Sequence, residues 1–381
     1  MGQATGKFLV MKRILFLFFI AVSSLTFAQD LESGYYRVSN LKTGRYVYVK
    51  DNTGSINIQA LTAEMGAIEL WKDHSKTLSD PASVIYAEYR GSSKGGAYYD
   101  LKAQGTGVYD IIKYYVFTAY SNGSYQVYAE GLYLCDNNFG SGPSGQMGTD
   151  RKGDYRRWLV SKIDGSDDEF FGIIPSVTVN GRYFHPFYAD FGFSVRSGMK
   201  VWIAKSVNVG AVEMIPFDGD VVPARTPVVI ECSSDVIEQN KLDLIKLDGT
   251  ITQPNLLKGV FFNNATRKNR VAFDGSKMRV LGVTPDGHLG YVLSDVTPDE
   301  KDGKRYLAAN QSYLEVPAGF PDNIRVFFPG DENAVEDIIS ENGTKAVYTI
   351  WGVKMGDYLP SQIEELPVGI YIVDNKKVII R

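Results

Sequence analysis

One serine of this 381-residue chain lies in a pattern that hydrolases use for a nucleophile. Gly91-Ser92-Ser93-Lys94-Gly95 satisfies G-x-S-x-G, in which the serine occupies a sharp turn between a strand and a helix. The residues that follow, Gly96-Ala97-Tyr98-Tyr99, have the pattern of a strand and not of a helix. The sequence therefore predicts a hairpin loop here instead of a nucleophile elbow.

The other residues that can do acid–base or metal chemistry show no catalytic spacing. His74, His185 and His288 are isolated in sequence, and none has a partner at the spacing of metal ligands. His185 precedes Pro186 in an aromatic stretch, which predicts a place in the core. No catalytic residue, metal site or cofactor is predicted. The two carboxylates of a glycosidase can be distant in sequence, so a hydrolase with scattered carboxylates stays an alternative.

The composition favours an all-β protein without an electrostatic preference for a partner. The chain has 44 acidic and 40 basic residues, and it lacks the basic stripe of a nucleic-acid binder. Its 24 tyrosines and 20 phenylalanines favour pleated, half-buried strands. Cys135 and Cys232 fall in different predicted domains and are interpreted as two buried thiols rather than a disulfide.

A Gly-x-Tyr element occurs three times before residue 163. Its glycines are Gly44, Gly96 and Gly131, and a short aromatic strand pattern precedes each of them. In the first and third copies a tryptophan follows at the same distance, at Trp71 and Trp158. Three similar units that each leave an apolar face uncovered can bury it by closing around a common axis. The sequence therefore predicts a β-trefoil over residues 31–163.

The start of this region resembles the start of the repeats in ricin-B-like trefoils. The resemblance lies in residues 34–40, Gly-Tyr-Tyr-Arg-Val-Ser-Asn, and in residues 43–47, Thr-Gly-Arg-Tyr-Val. Sugar-binding members of that family carry Gln-x-Trp late in each repeat, where this chain has Glu69-Leu70-Trp71 and Arg156-Arg157-Trp158. The resemblance implies that both tryptophans pack in the core, so other residues must supply a sugar site.

A sugar site needs an aromatic face and polar groups that bind hydroxyls. Asp-Asn pairs follow strand patterns in the first and third repeats, and aromatic residues lie next to both pairs. The candidate ligand-binding residues are Tyr48, Asp51, Asn52, Asp136, Asn137 and Phe139. Asp and Asn are also common in tight turns, so a turn without a ligand is the alternative at both places.

The region 170–330 is predicted to form an antiparallel β-sandwich. Short strand-like runs alternate there with Gly, Pro, Asn and Asp, and they lie at 177–179, 200–203, 212–215, 228–230, 278–281 and 313–316. The acidic stretch 164–169 does not match a calcium loop and is interpreted as a solvated linker. Residues 222–230 and 307–314 resemble a recurrent β-domain of exported Bacteroidota proteins, and this resemblance implies no particular biochemical role.

The N-terminal segment has the pattern of a secretory signal peptide. Residues 11–28 combine a basic start, a short apolar run and the small-residue site Thr26-Phe27-Ala28. Met11 is therefore the predicted start, and residues 1–10 are interpreted as an over-extension. The apolar run is shorter than the roughly 20 residues that a transmembrane helix needs. The sequence thus predicts an exported protein without a transmembrane span.

The C-terminal segment resembles the β-module common on exported proteins of the Bacteroidota. The resemblance lies in the runs Ala-Val-Tyr-Thr-Ile-Trp-Gly and Leu-Pro-Val-Gly-Ile-Tyr within residues 346–381, and the predicted module spans 331–381. In part of that phylum such modules are linked to an outer-membrane secretion and anchoring route. The resemblance therefore implies attachment to the outer cell surface, whereas a small capping sheet without that role is the alternative.

These observations predict a secreted or cell-surface binding protein without catalytic activity. The expected partner is a glycan or a surface protein, bound through the trefoil loops, and no nucleic-acid partner is expected. The choice of the trefoil loops follows from analogy with other trefoils rather than from the residues themselves. Two alternatives stay open: a glycoside hydrolase or its accessory protein, and a structural component of the cell surface.

Overall fold

The computed structural model shows an all-β protein, which confirms the predicted fold class. The structure describes residues 30–49, 68–71, 73–104, 114–129, 132–136, 144–149, 153–208, 210–263, 270–329, 344–373 and 376–380. The predicted signal peptide lies outside these residues. The described part contains two short α-helices, α1 (His74–Thr77) and α2 (Pro360–Glu364). No helix in these ranges is long and apolar enough to cross a membrane.

Ten strands form the first group. They are β1 (Gly34–Asn40), β2 (Tyr46–Val49), β3 (Ile68–Trp71), β4 (Ile85–Ser93), β5 (Gly96–Lys102), β6 (Tyr114–Ala119), β7 (Tyr125–Ala129), β8 (Leu132–Asp136), β9 (Ser144–Thr149) and β10 (Arg157–Lys162). Six of these strands pair in a closed antiparallel ring in the order β1, β4, β5, β6, β7, β10 and back to β1. The hairpins β2–β3 and β8–β9 lie outside the ring. A closed six-stranded barrel with attached hairpins is the architecture of a β-trefoil.

The repeated sequence element accounts for both the core and the tight turns of this barrel. Trp158 is 1% exposed in the barrel core, and its Nε1 donates a hydrogen bond to the Leu134 carbonyl at 3.1 Å. Gly44 and Gly96 both have positive φ, at 67° and 131°. At Gly96 a Cβ atom would also collide with the carbonyl oxygen of Phe117. The glycine of the element is therefore required by the backbone, and the tryptophan fills the interior.

Thirteen strands form the second group. They are β11 (Phe171–Gly172), β12 (Val177–Val179), β13 (Arg182–Phe187), β14 (Gly192–Val195), β15 (Lys200–Asn208), β16 (Ala211–Pro216), β17 (Val228–Cys232), β18 (Lys241–Ile245), β19 (Leu257–Val260), β20 (Met278–Val283), β21 (Leu289–Val292), β22 (Gln311–Glu315) and β23 (Ile324–Phe327). All six strand-like runs of the sequence fall in these strands.

The second group is layered as a sandwich. A three-stranded sheet, β11-β18-β14, packs through Phe171, Phe193 and Leu242 on one end of a ten-stranded sheet. The first and second halves of that larger sheet share a second core. In this core Trp202 on β15 and Val229 on β17 pack with Tyr291 on β21 and Leu314 on β22. One pairing departs from the antiparallel prediction, since β16 and β23 run parallel. The long connection between these strands allows that direction, and no periodicity in the sequence reports it.

The C-terminal residues form a separate four-stranded antiparallel sheet in the order β25-β24-β26-β27. Its strands are β24 (Lys345–Thr349), β25 (Lys354–Tyr358), β26 (Gly369–Val373) and β27 (Lys376–Ile380). Val347 on β24 pairs with Val373 on β26. Helix α2 covers one face of the sheet through the fully buried Ile363.

A buried arginine joins the barrel to the sandwich. Arg37 on β1 is 0% exposed, and its Nη1 lies 2.8 Å from Oε2 of Glu169. Its Nη2 donates to the Phe170 carbonyl at 2.8 Å, and its Nε donates to the Thr77 carbonyl at 3.2 Å. Burial lowers the pKa of Arg37, and the hydrogen bond and charge of Glu169 offset part of that effect. The guanidinium therefore links β1 to two distant segments of the chain.

The acidic stretch before the sandwich is largely exposed, as expected for a solvated linker, and it is also bound by cations of the sandwich. The Lys241 ammonium contacts the Ser166 carbonyl at 3.1 Å and the Asp167 carboxylate at 3.0 Å. The Arg196 guanidinium donates to the Gly165 carbonyl at 3.3 Å. The cations that bind the stretch are distant in sequence, so its composition alone does not indicate them.

Replacing Arg37 by Met should destabilise the protein strongly. The substitution removes one partner of a buried ion pair and leaves two carbonyls and Glu169 without their donor, which costs roughly 3–5 kcal/mol of unfolding free energy. Urea unfolding followed by tryptophan fluorescence measures the loss. Lys205→Gln is the control, because Lys205 and Glu213 form a pair in which both side chains are 46% exposed. A loss for Arg37→Met as small as in this control would contradict the assigned role.

Candidate functional site

Two of the predicted ligand residues are enclosed by the protein. Tyr48 is 1% exposed, and burial raises the pKa of its hydroxyl. Asp136 is 0% exposed, and its carboxylate lies 3.2 Å from Nη1 of the buried Arg45 and accepts a hydrogen bond from the Thr43 hydroxyl. In this structure Tyr48 offers no open ring face, and Asp136 neutralises an arginine instead of facing solvent.

The other four predicted residues, Asp51, Asn52, Asn137 and Phe139, lie outside the described residues. The directions of the strands that precede them are described. Strand β3 pairs antiparallel with β9, with Trp71 opposite Ser144. The β2–β3 and β8–β9 hairpins therefore point in opposite directions, so the chain leaves β2 and β8 at opposite ends of this four-stranded layer.

A different surface of the third repeat combines aromatic rings with cations. We call it the arginine–tyrosine patch, and it consists of Tyr120, Gln126, Tyr128, Tyr133, Arg156 and Arg157, all of which are half-buried. Tyr128 and Tyr133 are cross-strand partners on β7 and β8, and their ring centroids are 5.0 Å apart. Gln126 alternates with the buried Tyr125 and Val127 along β7, so it lies on the same outer face as Tyr128.

The two arginines of the patch stack on its tyrosines. The guanidinium carbon of Arg157 lies 3.1 Å from the ring centroid of Tyr120, and that of Arg156 lies 4.9 Å from the ring centroid of Tyr133. The Tyr120 hydroxyl donates to Gln126 Oε1 at 2.9 Å, and Gln126 is the cross-strand partner of Arg157. Strand pairing and ring contacts thus fix the six side chains relative to one another.

The patch has hydrogen-bond donors to spare. Nε of Arg156 and Nη1 of Arg157 are shielded from solvent, and neither has a hydrogen-bond partner within the described residues. Partial burial lowers the pKa of Arg157, although an arginine stays charged at neutral pH. Both arginines are only half-buried, so the guanidinium nitrogens that reach solvent can donate hydrogen bonds to an acceptor oxygen of a ligand. Tyrosine faces beside such donors suit a sugar ring or a polar protein segment.

The sequence contained a signal for this patch that its interpretation missed. Arg156-Arg157-Trp158 occupies the position that Gln-x-Trp has in ricin-B-like trefoils, and the two adjacent arginines are the signal. Because Trp158 points into the core, Arg157 must point outward along the same strand. The tyrosines that receive the arginines lie on other strands, and only the fold brings them together.

The residues that first pointed to catalysis have structural roles. The G-x-S-x-G segment forms the predicted hairpin, in which Ser93 pairs with Gly96 between β4 and β5. His185 lies in the sandwich core, where burial lowers its pKa to about 4, so its ring is neutral at pH 7. His74 stacks on Tyr46 with 5.2 Å between ring centroids. Cys135 and Cys232 are buried free thiols. In the described part of the chain, no three His, Cys, Asp or Glu residues come together as metal ligands.

Comparisons with known proteins give low similarity. No family model matches the chain, and no curated protein matches it. Among solved structures, the designed three-fold symmetric protein ThreeFoil aligns with 34% of this chain and 99% of its own length, at 16% identity and a TM-score of 0.24. The BEL β-trefoil aligns with 36% of this chain and 99% of its own length, at 12% identity and a TM-score of 0.24. A mosquitocidal holotoxin aligns with 77% of this chain and 45% of its own length, at 11% identity and a TM-score of 0.26.

Replacing Asp136 by Ala should unfold the third repeat rather than abolish a ligand contact. The substitution leaves the Arg45 guanidinium buried without its carboxylate, so we expect a loss of roughly 3–5 kcal/mol in unfolding free energy. Thermal unfolding followed by circular dichroism measures the effect. Asp154→Ala is the matched control, because Asp154 is an exposed aspartate of the same repeat. An Asp136→Ala protein as stable as this control would instead favour a direct role of Asp136 in binding.

Proposed function

We propose that this chain is a secreted or cell-surface binding protein without catalytic activity, and that its trefoil contacts a glycan. The observation that carries this proposal is the arginine–tyrosine patch, in which shielded arginine donors lie against tyrosine rings. Sugar hydroxyls supply acceptor oxygens for the guanidinium nitrogens of these half-buried arginines that reach solvent. The apolar face of a sugar ring suits a tyrosine.

The fold supports binding at a fixed surface. The closed barrel and the Arg37 junction hold the third repeat rigidly, so little conformational entropy is lost when a ligand binds there. A protein partner is the second candidate, because stacked arginines and tyrosines are also enriched in protein interfaces. Both candidates use the arginine–tyrosine patch, and they differ in whether the ligand is a glycan or a protein.

Binding should be detected by a glycan array of the mature chain, residues 29–381, and should depend on the patch. Arg157→Gln and Tyr133→Leu each remove one member of an arginine–ring stack, so we expect at least about tenfold weaker binding, or roughly 1.4 kcal/mol. Titration calorimetry with the glycan found on the array measures the change. Tyr89→Leu is the control, since Tyr89 is 40% exposed on β4 and belongs to no part of the patch.

Two results would count against a glycan. An array without signal from a folded protein would leave a protein partner or a structural role. Binding that is retained in both patch variants would place the glycan site elsewhere on the chain.

We further propose that the chain is exported and that its C-terminal sheet attaches it to the outer cell surface. The sheet carries many exposed apolar side chains, although α2 covers its other face. Trp351 is 84% exposed in the turn between β24 and β25, and Val353 in the same turn is 63% exposed. On the outer face, the cross-strand partners Ile370 and Ile379 are 40% and 55% exposed. Exposed apolar clusters of this kind are typical of surfaces that contact another protein or a membrane.

Export and attachment are tested together by fractionation of cells that produce the whole chain. We expect a mature N-terminus at Gln29 by mass spectrometry and a protein that external protease digests on intact cells. A double substitution, Trp351→Ser with Val353→Ser, should shift the protein from the cell surface to the medium, whereas Lys258→Gln should not. A protein found entirely in the periplasm would contradict attachment, and an uncleaved N-terminus would contradict export through residues 11–28.

A further inference from the structure

A cleft of about 850 Å³ lies in the sandwich, away from the trefoil patch. One wall is the segment 272–275, and the other runs from residue 293 to residue 305. Phe273, Leu293 and Pro298 provide apolar lining, and Leu293 is 37% exposed. Asp274, Asp295, Lys304 and Arg305 provide charged groups in the same cleft. This combination of an apolar surface with a few polar groups is typical of a small-molecule site.

Hydrogen bonds hold the two walls in place without a ligand. The Phe273 amide donates to the Arg305 carbonyl at 2.9 Å, and Ala272 forms a β-bridge with Tyr306. Within the second wall, the Asp299 amide donates to the Lys304 carbonyl at 2.8 Å. The cleft is therefore preformed, which reduces the entropy lost on binding.

The charges around the cleft are unevenly compensated. Arg270 stacks on Tyr306 at 3.6 Å and is paired with Asp299 at 2.8 Å and with Asp302 at 3.0 Å, so its charge is neutralised. Arg305 differs, because its Nε donates to the Val296 carbonyl at 2.9 Å and it forms no ion pair with a described residue. That bond orients the guanidinium and leaves its two terminal nitrogens for another acceptor.

The two remaining charged groups complete the site. The positive charge of Lys304 helps to lower the pKa of Asp302, but Lys304 forms no ion pair within the described ranges. Asp295 is exposed and forms neither a hydrogen bond nor an ion pair with a described residue. Asp274 also lines the cleft, but its carboxylate accepts a hydrogen bond from the Ser276 hydroxyl at 2.6 Å and lies 3.7 Å from the Lys277 ammonium. The cleft thus presents two adjacent cations, an aromatic surface and the Asp295 carboxylate, which can accept hydrogen bonds from hydroxyls.

We propose that this cleft binds a uronic acid unit of an acidic glycan. The carboxylate of the sugar accepts hydrogen bonds from the terminal nitrogens of Arg305, which is the geometry that a guanidinium favours. The C–H face of the ring lies on Phe273 and Leu293, and the hydroxyls donate to Asp295. A neutral sugar leaves Arg305 without a partner. The proposal depends on the sandwich alone and not on the arginine–tyrosine patch.

Titration calorimetry of the mature chain with a trisaccharide of galacturonic acid tests this site. The methyl ester of the same trisaccharide is the matched probe, since it has nearly the same shape without the charges. We expect the acid to bind at millimolar concentration or below and the ester to bind at least about tenfold more weakly. Binding of the acid should also weaken at high salt, because an exposed charge pair is screened.

Substitutions of the two cleft cations test whether the acid binds in the cleft. Arg305→Gln and Lys304→Gln should each weaken binding of the acid, by at least about tenfold for Arg305→Gln. Lys304→Gln keeps the test decisive if Arg305→Gln loosens the loop, because the Lys304 side chain holds no part of the fold. Lys258→Gln, at an exposed lysine outside the cleft, should bind as the unchanged protein does. Thermal unfolding of each variant verifies that it is folded.

The result is separable from the proposed function of the trefoil. Arg305→Gln tests only the cleft and Arg157→Gln tests only the patch, because Arg305 lies in the sandwich region and Arg157 lies in the trefoil, so either site can fail without the other. The proposal is overturned if the folded protein does not bind the acid, if acid and ester bind equally, or if both cleft variants bind like the unchanged protein. Tighter binding of a triglutamate peptide than of the trisaccharide would also overturn it, since the carboxylate would then come from a protein.

Discussion

The structure depends on a charged group that has no access to water. Arg37 is fully buried between the barrel and the sandwich, and an unpaired guanidinium at such a place would be too costly to keep. Its three acceptors come from two distant segments of the chain, the Thr77 carbonyl from one and Glu169 with the Phe170 carbonyl from the other. Because each acceptor must be in place before the charge is satisfied, the junction fixes how the first two groups of strands meet. A binding surface on either group thereby gains a rigid support.

The same principle recurs inside the trefoil. Arg45 and Asp136 are both buried, and their ion pair ties the start of β2 to the end of β8. Buried pairs of this kind contribute to a unique arrangement more than to net stability, because both ions are removed from water. In contrast, the apolar contacts around Trp158 supply the general driving force for closing the barrel. The barrel thus combines a nonspecific core with a few specific polar links.

The surfaces that remain open have three different chemical characters. The third trefoil repeat presents arginines stacked on tyrosines, the sandwich has a cleft with uncompensated cations, and the C-terminal sheet exposes aliphatic side chains around Trp351. Each lies where the local core is already complete without it, so none of these side chains is needed to close a barrel or a sheet. Some side chains do not stabilise the fold, although exposing them or leaving them unpaired costs free energy. Such side chains indicate where a partner binds.

The sequence by itself determined the local features of this protein. Alternating apolar residues and turn residues predicted the strands and the all-β class. The equal spacing from Gly44 to Trp71 and from Gly131 to Trp158 predicted the threefold barrel. It did not determine the partners of polar residues. Asp136 follows a strand as a ligand residue or a turn residue would, and only the distant Arg45 decides that it is a buried counter-ion. Likewise, the acidic stretch at 164–169 is exposed as its composition indicates, but only the fold shows that Lys241 and Arg196 bind it. Periodicity reports which face of a strand is buried, whereas electrostatic pairing is set by contacts between residues far apart in the chain, and these exist only in the tertiary structure.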